Sequence, residues 1–187
     1  ENCTPGYNTF VNSTAYVASS NVLLNGSNFQ NSRIAVLGTD YRNVTISYNN
    51  FTGEHPSYRL AMELSYLNDS FIYNNDMFDL ETGISFTSSN NNSVFNNTIY
   101  NSSDAVTFDS NSDNNLVYWN NLFNLSNTGV SLYGNNNLVY NNTLTNITDI
   151  AIRSASYNNI TDNIITGENH VGMGIYFSTN NYVTGNQ

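Results

Sequence analysis

Three groups of residues in this chain could do chemistry. Asp109, Tyr133 and Arg153 supply an acid, a phenol and a guanidinium. Brought to one wet face, they could bind a sugar through hydrogen bonds and ring contact. Glycoside cleavage takes a pair of carboxylates flanking the bond, and this group offers one. Asp79, Glu81 and Asp104, with Asp76 close by, are hard oxygen donors of the kind that suit Ca²⁺. A solvated acidic edge is the simpler reading of the same residues. The third group is the pair of phrases FTGEH (51–55) and ITGENH (165–170), which set Glu54 beside His55 and Glu168 near His170. Glu and His together invite a metal or an acid–base role. Each phrase holds one His and one Glu, too few ligands for a metal site of its own.

What could bring such scattered residues together is a repeat. In Asn136–Leu144, NNLVYNNTL, an aliphatic residue is followed by Asn three positions later and an apolar residue five positions later. The pattern recurs at Leu24–Ser27–Phe29, Ile46–Asn49–Phe51, Ile72–Asn75–Met77, Val94–Asn97–Ile99, Val117–Asn120–Leu122, Val139–Asn142–Leu144 and Ile160–Asn163–Ile165, and again in part at Val183–Asn186. Subtracting the anchor numbers gives spacings of 22, 26, 22, 23, 22, 21 and 23 residues. A period in the twenties indicates a solenoid.

Each period carries a second, alternating strand: Ile34/Val36, Leu60/Met62/Leu64, Ile84/Phe86, Val106/Phe108, Val130/Leu132, Ile150/Ile152 and Ile175/Phe177. Alternation of period two buries one face and wets the other. Gly83, Ala105, Gly129 and Gly174 precede or begin these strands, as a bend into a strand would need. Polar clusters such as Ser88–Ser93, Ser110–Asn115, Gly134–Asn137 and Ser178–Asn181 read as turns, where Asn tolerates the left-handed region. A coil of this length cannot bury its own apolar side chains, but it can stack on an equivalent coil. The expected fold is all-β, a right-handed parallel β-helix of about 7–8 coils and roughly 22 residues per coil. Residues 1–20 read as a lead-in or cap and 21–187 as the β-helix, with no cap at its C-terminal end. An open end of that kind implies a longer parent chain or contact with another subunit. Asn49, Asn75, Asn97, Asn120, Asn142 and Asn163 should form an amide ladder, each bonding its equivalent on the next coil.

Stacking decides which of the three groups can meet. The outward row of the alternating strand reads Ser85/Thr87, Thr107/Asp109, Ser131/Tyr133, Ala151/Arg153 and Tyr176/Ser178, so Asp109, Tyr133 and Arg153 fall on successive coils within about 10 Å. The two Glu–His phrases lie five coils apart, about 24 Å along the stack, and cannot share a metal ion. They read as a repeated, water-exposed loop. Tyr48, Tyr73, Tyr118 and Tyr140 follow their anchors without a common register. They could stack on sugars, though packing beneath turns accounts for most of them.

Composition excludes some partners. The 187 residues hold 14 acidic side chains against four Arg and no Lys, a formal charge of −10. Nucleic acid and anionic membranes need clustered cations, so neither is an expected partner. No apolar run is long enough for a membrane-spanning helix. No cofactor is implied. Cys3 is the lone cysteine, which reads as a free thiol or, less simply, half of an intermolecular disulfide. The start lacks Met, as in a processed chain. N-x-[ST] sequons begin at Asn2, Asn12, Asn25, Asn43, Asn50, Asn68, Asn91, Asn96, Asn101, Asn124, Asn141, Asn146 and Asn159. Their density, with the lack of Lys, points to an extracellular or cell-surface glycoprotein.

The Asn-rich phrase NNLVYNNTL followed by a strand such as TGVSL resembles the parallel β-helix repeat of NosD-like and carbohydrate-binding/sugar-hydrolase (CASH) domains, over about residues 21–187. Such repeats are abundant in archaeal and bacterial surface proteins. The resemblance implies the fold and leaves several functions open: polysaccharide lyase, hydrolase, epimerase, tailspike-like adhesin or non-catalytic surface module. β-Helical lyases commonly pair calcium with a basic residue. Here Arg33, Arg42, Arg59 and Arg153 are the few candidates for that role. The leading expectation is a non-catalytic structural or adhesive module of a surface layer or filament, N-glycosylated, self-associating or joined to further domains. The alternative is a polysaccharide-active enzyme or carbohydrate-binding module using the outward face at Asp109, Tyr133 and Arg153.

Overall fold

The computed structural model of the chain describes residues 8–53, 60–167 and 172–187. The anchors form one sheet. Its strands are Leu23–Asn25, Thr45–Ser47, Phe71–Tyr73, Ser93–Phe95, Leu116–Tyr118, Leu138–Tyr140, Asn159–Thr161 and Tyr182–Thr184. All pair in parallel with the next coil, and Leu24, Ile46, Ile72, Val94, Val117, Val139, Ile160 and Val183 stand one above another. From Ile46 to Ile160 this column is fully buried. β-Branched and aliphatic residues recur there because a three-residue strand buries only its central side chain.

A second sheet has its central, inward residue five positions after each anchor. Phe10, Phe29, Phe51, Met77, Ile99, Leu122, Leu144 and Ile165 form its inward column, and Phe10, Phe29 and Phe51 stack face to face with centroids 4.6 Å apart. The third sheet holds the longer, alternating strands: Thr14–Val17, Arg33–Arg42, Leu60–Asn68, Thr82–Thr87, Asp104–Phe108, Thr128–Leu132, Asp149–Arg153 and Gly172–Tyr176. Each sheet has eight strands, a stack of roughly 35 Å at about 4.8 Å per strand. Thr9–Val11 and Thr14–Val17 pair in parallel with the coil that follows, so these N-terminal residues supply strands to two of the sheets.

The third sheet carries two inward columns. One runs Ile34, Met62, Ile84, Val106, Val130, Ile150 and Met173, the other Val36, Leu64, Phe86, Phe108, Leu132, Ile152 and Ile175. Here the sequence expectation for the last coil needs correcting. Met173 and Ile175 continue the columns, whereas Phe177 is 96% exposed. The bend is at Gly172, with φ of 77°, and Gly174 lies within the strand. Met173 sits between two glycines, so alternation begins one pleat earlier than the isoleucine suggests. The outward pair on this coil is therefore Gly174/Tyr176, not Tyr176/Ser178.

Corners between sheets hold the left-handed residues. Asn74, Asn96 and Asn141 turn from the anchor sheet into the second; Asn101, Asn124 and Asn146 turn into the third; Asn43, Asn91, Asn114 and Asn136 turn back. Each of these residues has φ between 48° and 61°. Two amide ladders line the interior beside them. Asn49, Asn75, Asn97, Asn120, Asn142, Asn163 and Asn186 pass Nδ2–H···Oδ1 bonds of 2.9–3.1 Å from coil to coil. Ser27 opens this column with only its backbone N–H bonded to Asn49 Oδ1. The second ladder runs through Asn92, Asn115, Asn137, Asn158 and Asn181. Asn92, Asn115, Asn137 and Asn181 fall in the polar clusters that read as turns from the sequence.

Candidate functional site

The outer face of the third sheet holds an open groove of about 350 Å³ lined by Ser85, Thr87, Thr107, Asp109, Ser110 and Tyr133, with Phe86 and Phe108 beneath. Alternation places these side chains: Phe86 and Phe108 point in and stack at 4.7 Å, so Ser85, Thr87 and Thr107 point out. Thr107 pairs with Ser131, and the Tyr133 N–H donates to the Phe108 carbonyl. Asp109 and Tyr133 thus each come directly after one of two adjacent strands. The Tyr133 ring is 43% exposed. Gly134 follows it because a Cβ there would collide with the Ser112 carbonyl.

One carboxylate oxygen of Asp109 is committed to the turn. Oδ1 accepts from Ser88 N (3.0 Å), Asn111 N (3.2 Å) and Ser112 Oγ (2.6 Å). Oδ2 accepts no hydrogen bond from the described residues. Arg153 lies on the coil after Tyr133 but does not line the groove. Its guanidinium donates to Ser131 Oγ (3.1 Å), stands 3.8 Å from Asp149 Oδ2 and lies 5.5 Å from the centre of the Tyr176 ring. Tyr176 folds back over Gly174, where a Cβ would strike its ring. Arg153 and Tyr176 therefore cover the small residues Ala151 and Ser131, both buried. Sequence reasoning placed Asp109, Tyr133 and Arg153 in one row; in the fold, the first two share a groove and the third is turned to its own strand. Asp149, on the same strand, was the signal for that pairing. Ser110 joins the groove from the turn after the strand, which alternation does not reach.

In the acidic group, the Asp104 N–H donates to the Glu81 carbonyl on the preceding coil (2.8 Å). Asp104 Oδ1 accepts from Asn127 Nδ2 (2.8 Å) and Thr128 N (3.0 Å), Asp79 occupies a left-handed corner, and Asp76 begins a strand of the second sheet. Among the described residues no three His, Cys, Asp or Glu side chains gather as a metal site. Burial pushes the Asp76 carboxyl above its ordinary range, partly offset by a backbone hydrogen bond from Met77. His55, His170, Glu54, Glu168, Arg59, Asn2 and Cys3 lie outside the described residues.

Outside the sheets, aromatic side chains form ladders of their own. Tyr73, Phe95, Tyr118 and Tyr140 stack on the anchor sheet with centroids 4.9–5.0 Å apart. Tyr48 meets Tyr73 edge-on from a corner. Phe78, Tyr100 and Phe123 stack on the second sheet. The tyrosines at 73, 118 and 140 thus share a register, with Phe95 as the fourth member. Burial raises the Tyr118 phenol, helped by Tyr140, and raises the Tyr100 phenol, helped by Asp76 and Asp79.

Three parallel sheets wound through amide-lined corners make this a parallel β-helix repeat protein. Within that class residues 57–187 match the family described as periplasmic copper-binding protein (NosD), and the chain belongs to that family. A search of the curated proteins finds no match. Among solved structures, a double mutant of the periplasmic alginate epimerase AlgG is similar at 15% identity and a TM-score of 0.62, over 87% of this chain and 50% of that one. A mutant tailspike protein of E. coli bacteriophage HK620 in complex with pentasaccharide is similar at 14% identity and a TM-score of 0.56, over 95% of this chain and 42% of that one. Another, with hexasaccharide, gives 14% and 0.58, over 95% and 39%. At these identities the likeness is one of fold. The chain spans about half the length of the epimerase and less of the tailspike.

The described residues do not fit a copper site. Copper favours thiolate, thioether and imidazole ligands; Met62 and Met77 are fully enclosed in the core, and Met173, half-buried, packs against that core in the column of Ile150, with no second such ligand gathered beside it among the described residues. No helix among the described residues is long and apolar enough to cross a membrane.

Proposed function

We propose that the protein is a non-catalytic, carbohydrate-binding β-helical module that works outside the cytoplasm, in the manner of an adhesin. The groove beside Tyr133 carries this reading: an exposed ring, four hydroxyl side chains and one carboxylate on a rigid, pre-formed strand face. Sugars are held by such combinations of ring contact and hydroxyl or carboxylate hydrogen bonding. The makings of turnover are missing there. Hydrolysis takes a second carboxylate, and Arg153 is engaged by Asp149 and Tyr176. A carbohydrate role is supported by the neighbouring folds, one an alginate epimerase and one crystallised with oligosaccharide. The extracytoplasmic setting is supported by the periplasmic description of the family and of the epimerase.

The test is calorimetric binding of neutral, amino and acidic oligosaccharides to the wild type and Tyr133→Ala, with assay of the incubated glycans for new ends. We expect saturable binding, weakened in Tyr133→Ala by about 1 kcal/mol, the scale of a specific aromatic contact, and no cleavage. Cleavage that disappears in Asp109→Ala would make the protein an enzyme instead.

A further inference from the structure

We propose that the groove selects sugars bearing a free, protonated amine and that Asp109 sets this preference. The inference rests on the reading of the groove as a glycan site and adds the ligand class. Of the groove's lining side chains, Asp109 is the one charged at neutral pH. Its Oδ1 is saturated by three donors from the turn, while Oδ2 accepts none from the described residues. A carboxylate oxygen without a protein donor at the wall of an open groove calls for a cationic donor, and such charge-assisted bonds are about twice as strong as neutral ones. The exposed face of Tyr133 adds attraction for the same cation.

Among the described residues, the positive charges that would be needed for a uronate or sulfated sugar are occupied. Arg153 is turned to Asp149, Ser131 and Tyr176. Arg33 pairs with Glu63 at 2.8 Å. Arg42 pairs with Asp40 at 3.0 Å and Asp69 at 3.1 Å. No Lys exists in the chain, and its formal charge is −10. A field of that sign draws in cationic ligands and repels polyanions before contact. Local and global charge therefore point the same way.

The probes are oligomers of glucosamine, the same oligomers N-acetylated, and oligouronate of matched length, titrated at a pH where the amine is protonated. The decisive variant is Asp109→Asn. It keeps an Oδ1 acceptor for Ser88, Asn111 and Ser112, so the turn is retained, and it removes the charge; a thermal melt confirms that it folds. We expect the wild type to bind the free-amine oligomer about tenfold or more tightly than the acetylated one, the size of a charge-assisted bond. Oligouronate should not bind. Asp109→Asn should bring the free-amine and acetylated oligomers to about equal affinity. Equal affinities in the wild type, or a preference that survives Asp109→Asn, would overturn the amine assignment and leave glycan binding standing. If none of the three binds, or Tyr133→Ala changes none of the affinities, the groove is not a glycan site at all.

Discussion

Asn120 shows what one side chain does in this fold. Its Oδ1 accepts from the backbone and side chain of Asn97, at 2.9 and 3.1 Å. Its two Nδ2 hydrogens are shared among Val94 O, Tyr118 O and Asn142 Oδ1, at 3.0–3.1 Å. One buried amide thus serves five partner atoms on three coils. Asn120→Ala should cost about 3–5 kcal/mol, because several buried groups lose a partner at about 1–3 kcal/mol each. Urea unfolding measures this, and a loss below about 1 kcal/mol would mean that the ladder is ornamental to stability. The corner residues act differently. Asn91, Asn96 and Asn141 take the left-handed conformation, each is followed by a ladder Asn, and then by Ser93, Thr98 or Thr143 opening a strand. At these corners the fold itself writes N-x-[ST], so their sequons report geometry before they report glycosylation. If the chain meets a glycosylating pathway, peptide mapping should find glycan at exposed corners such as Asn91, Asn96 and Asn141. It should find none at Asn68, whose side chain bonds Asp40 and Asn90, or at Asn159, whose Oδ1 is buried.

At the scale of elements, outward aromatic ladders bind neighbouring coils from outside as the amides do from within. Tyr118 lies between Phe95 and Tyr140 at 5.0 and 4.9 Å. Its phenol titrates above the ordinary value because of burial and then Tyr140, and Tyr100 behaves likewise because of burial and its acidic neighbours. Both groups favour the neutral form when folded. The stability they contribute is complete below the unfolded pKa of about 10 and is lost as pH rises through their folded values. Tyr100→Phe and Tyr118→Phe should each lessen alkaline destabilisation and remove a late component from the tyrosinate absorbance titration. Unchanged titration curves would count against the ladders as their cause. The inner columns were legible in the sequence because an anchor every 21–26 residues leaves one aliphatic position per short strand. The ladder of Asn120 was marked by its fixed distance from the anchor. The ladder of Asn115 was hidden, since Asn two residues before the anchor also suits a turn, and both roles use the same side chain. The groove was half legible. Alternation showed which residues face out, but the direction of the Arg153 side chain depends on the space left by Gly174 and filled by Tyr176.

For the whole molecule the governing fact is that each coil is covered only by its neighbours. Stability in such an array is close to a sum of coil terms and interface terms, so loss of structure should start where one interface is missing. The burial of one column shows the gradient: Val117 and Val139 are fully enclosed, whereas Val183 on the last coil is 39% exposed. The strand Tyr182–Thr184 is exposed at every residue. Hydrogen exchange of the 187-residue chain should therefore be fastest across residues 172–187, slower through Asn159–Thr161, and slowest between about Ile84 and Val139, where every strand has a neighbour on both sides. Amides that exchange through local opening report the free energy of that opening, so protection should climb coil by coil. Asn163→Ala, near the exposed end, should speed exchange mainly beyond it. Asn120→Ala should lower protection on both sides by dividing the stack. Equal protection along the whole column, changed equally by either substitution, would show a single cooperative unit and overturn the additive picture.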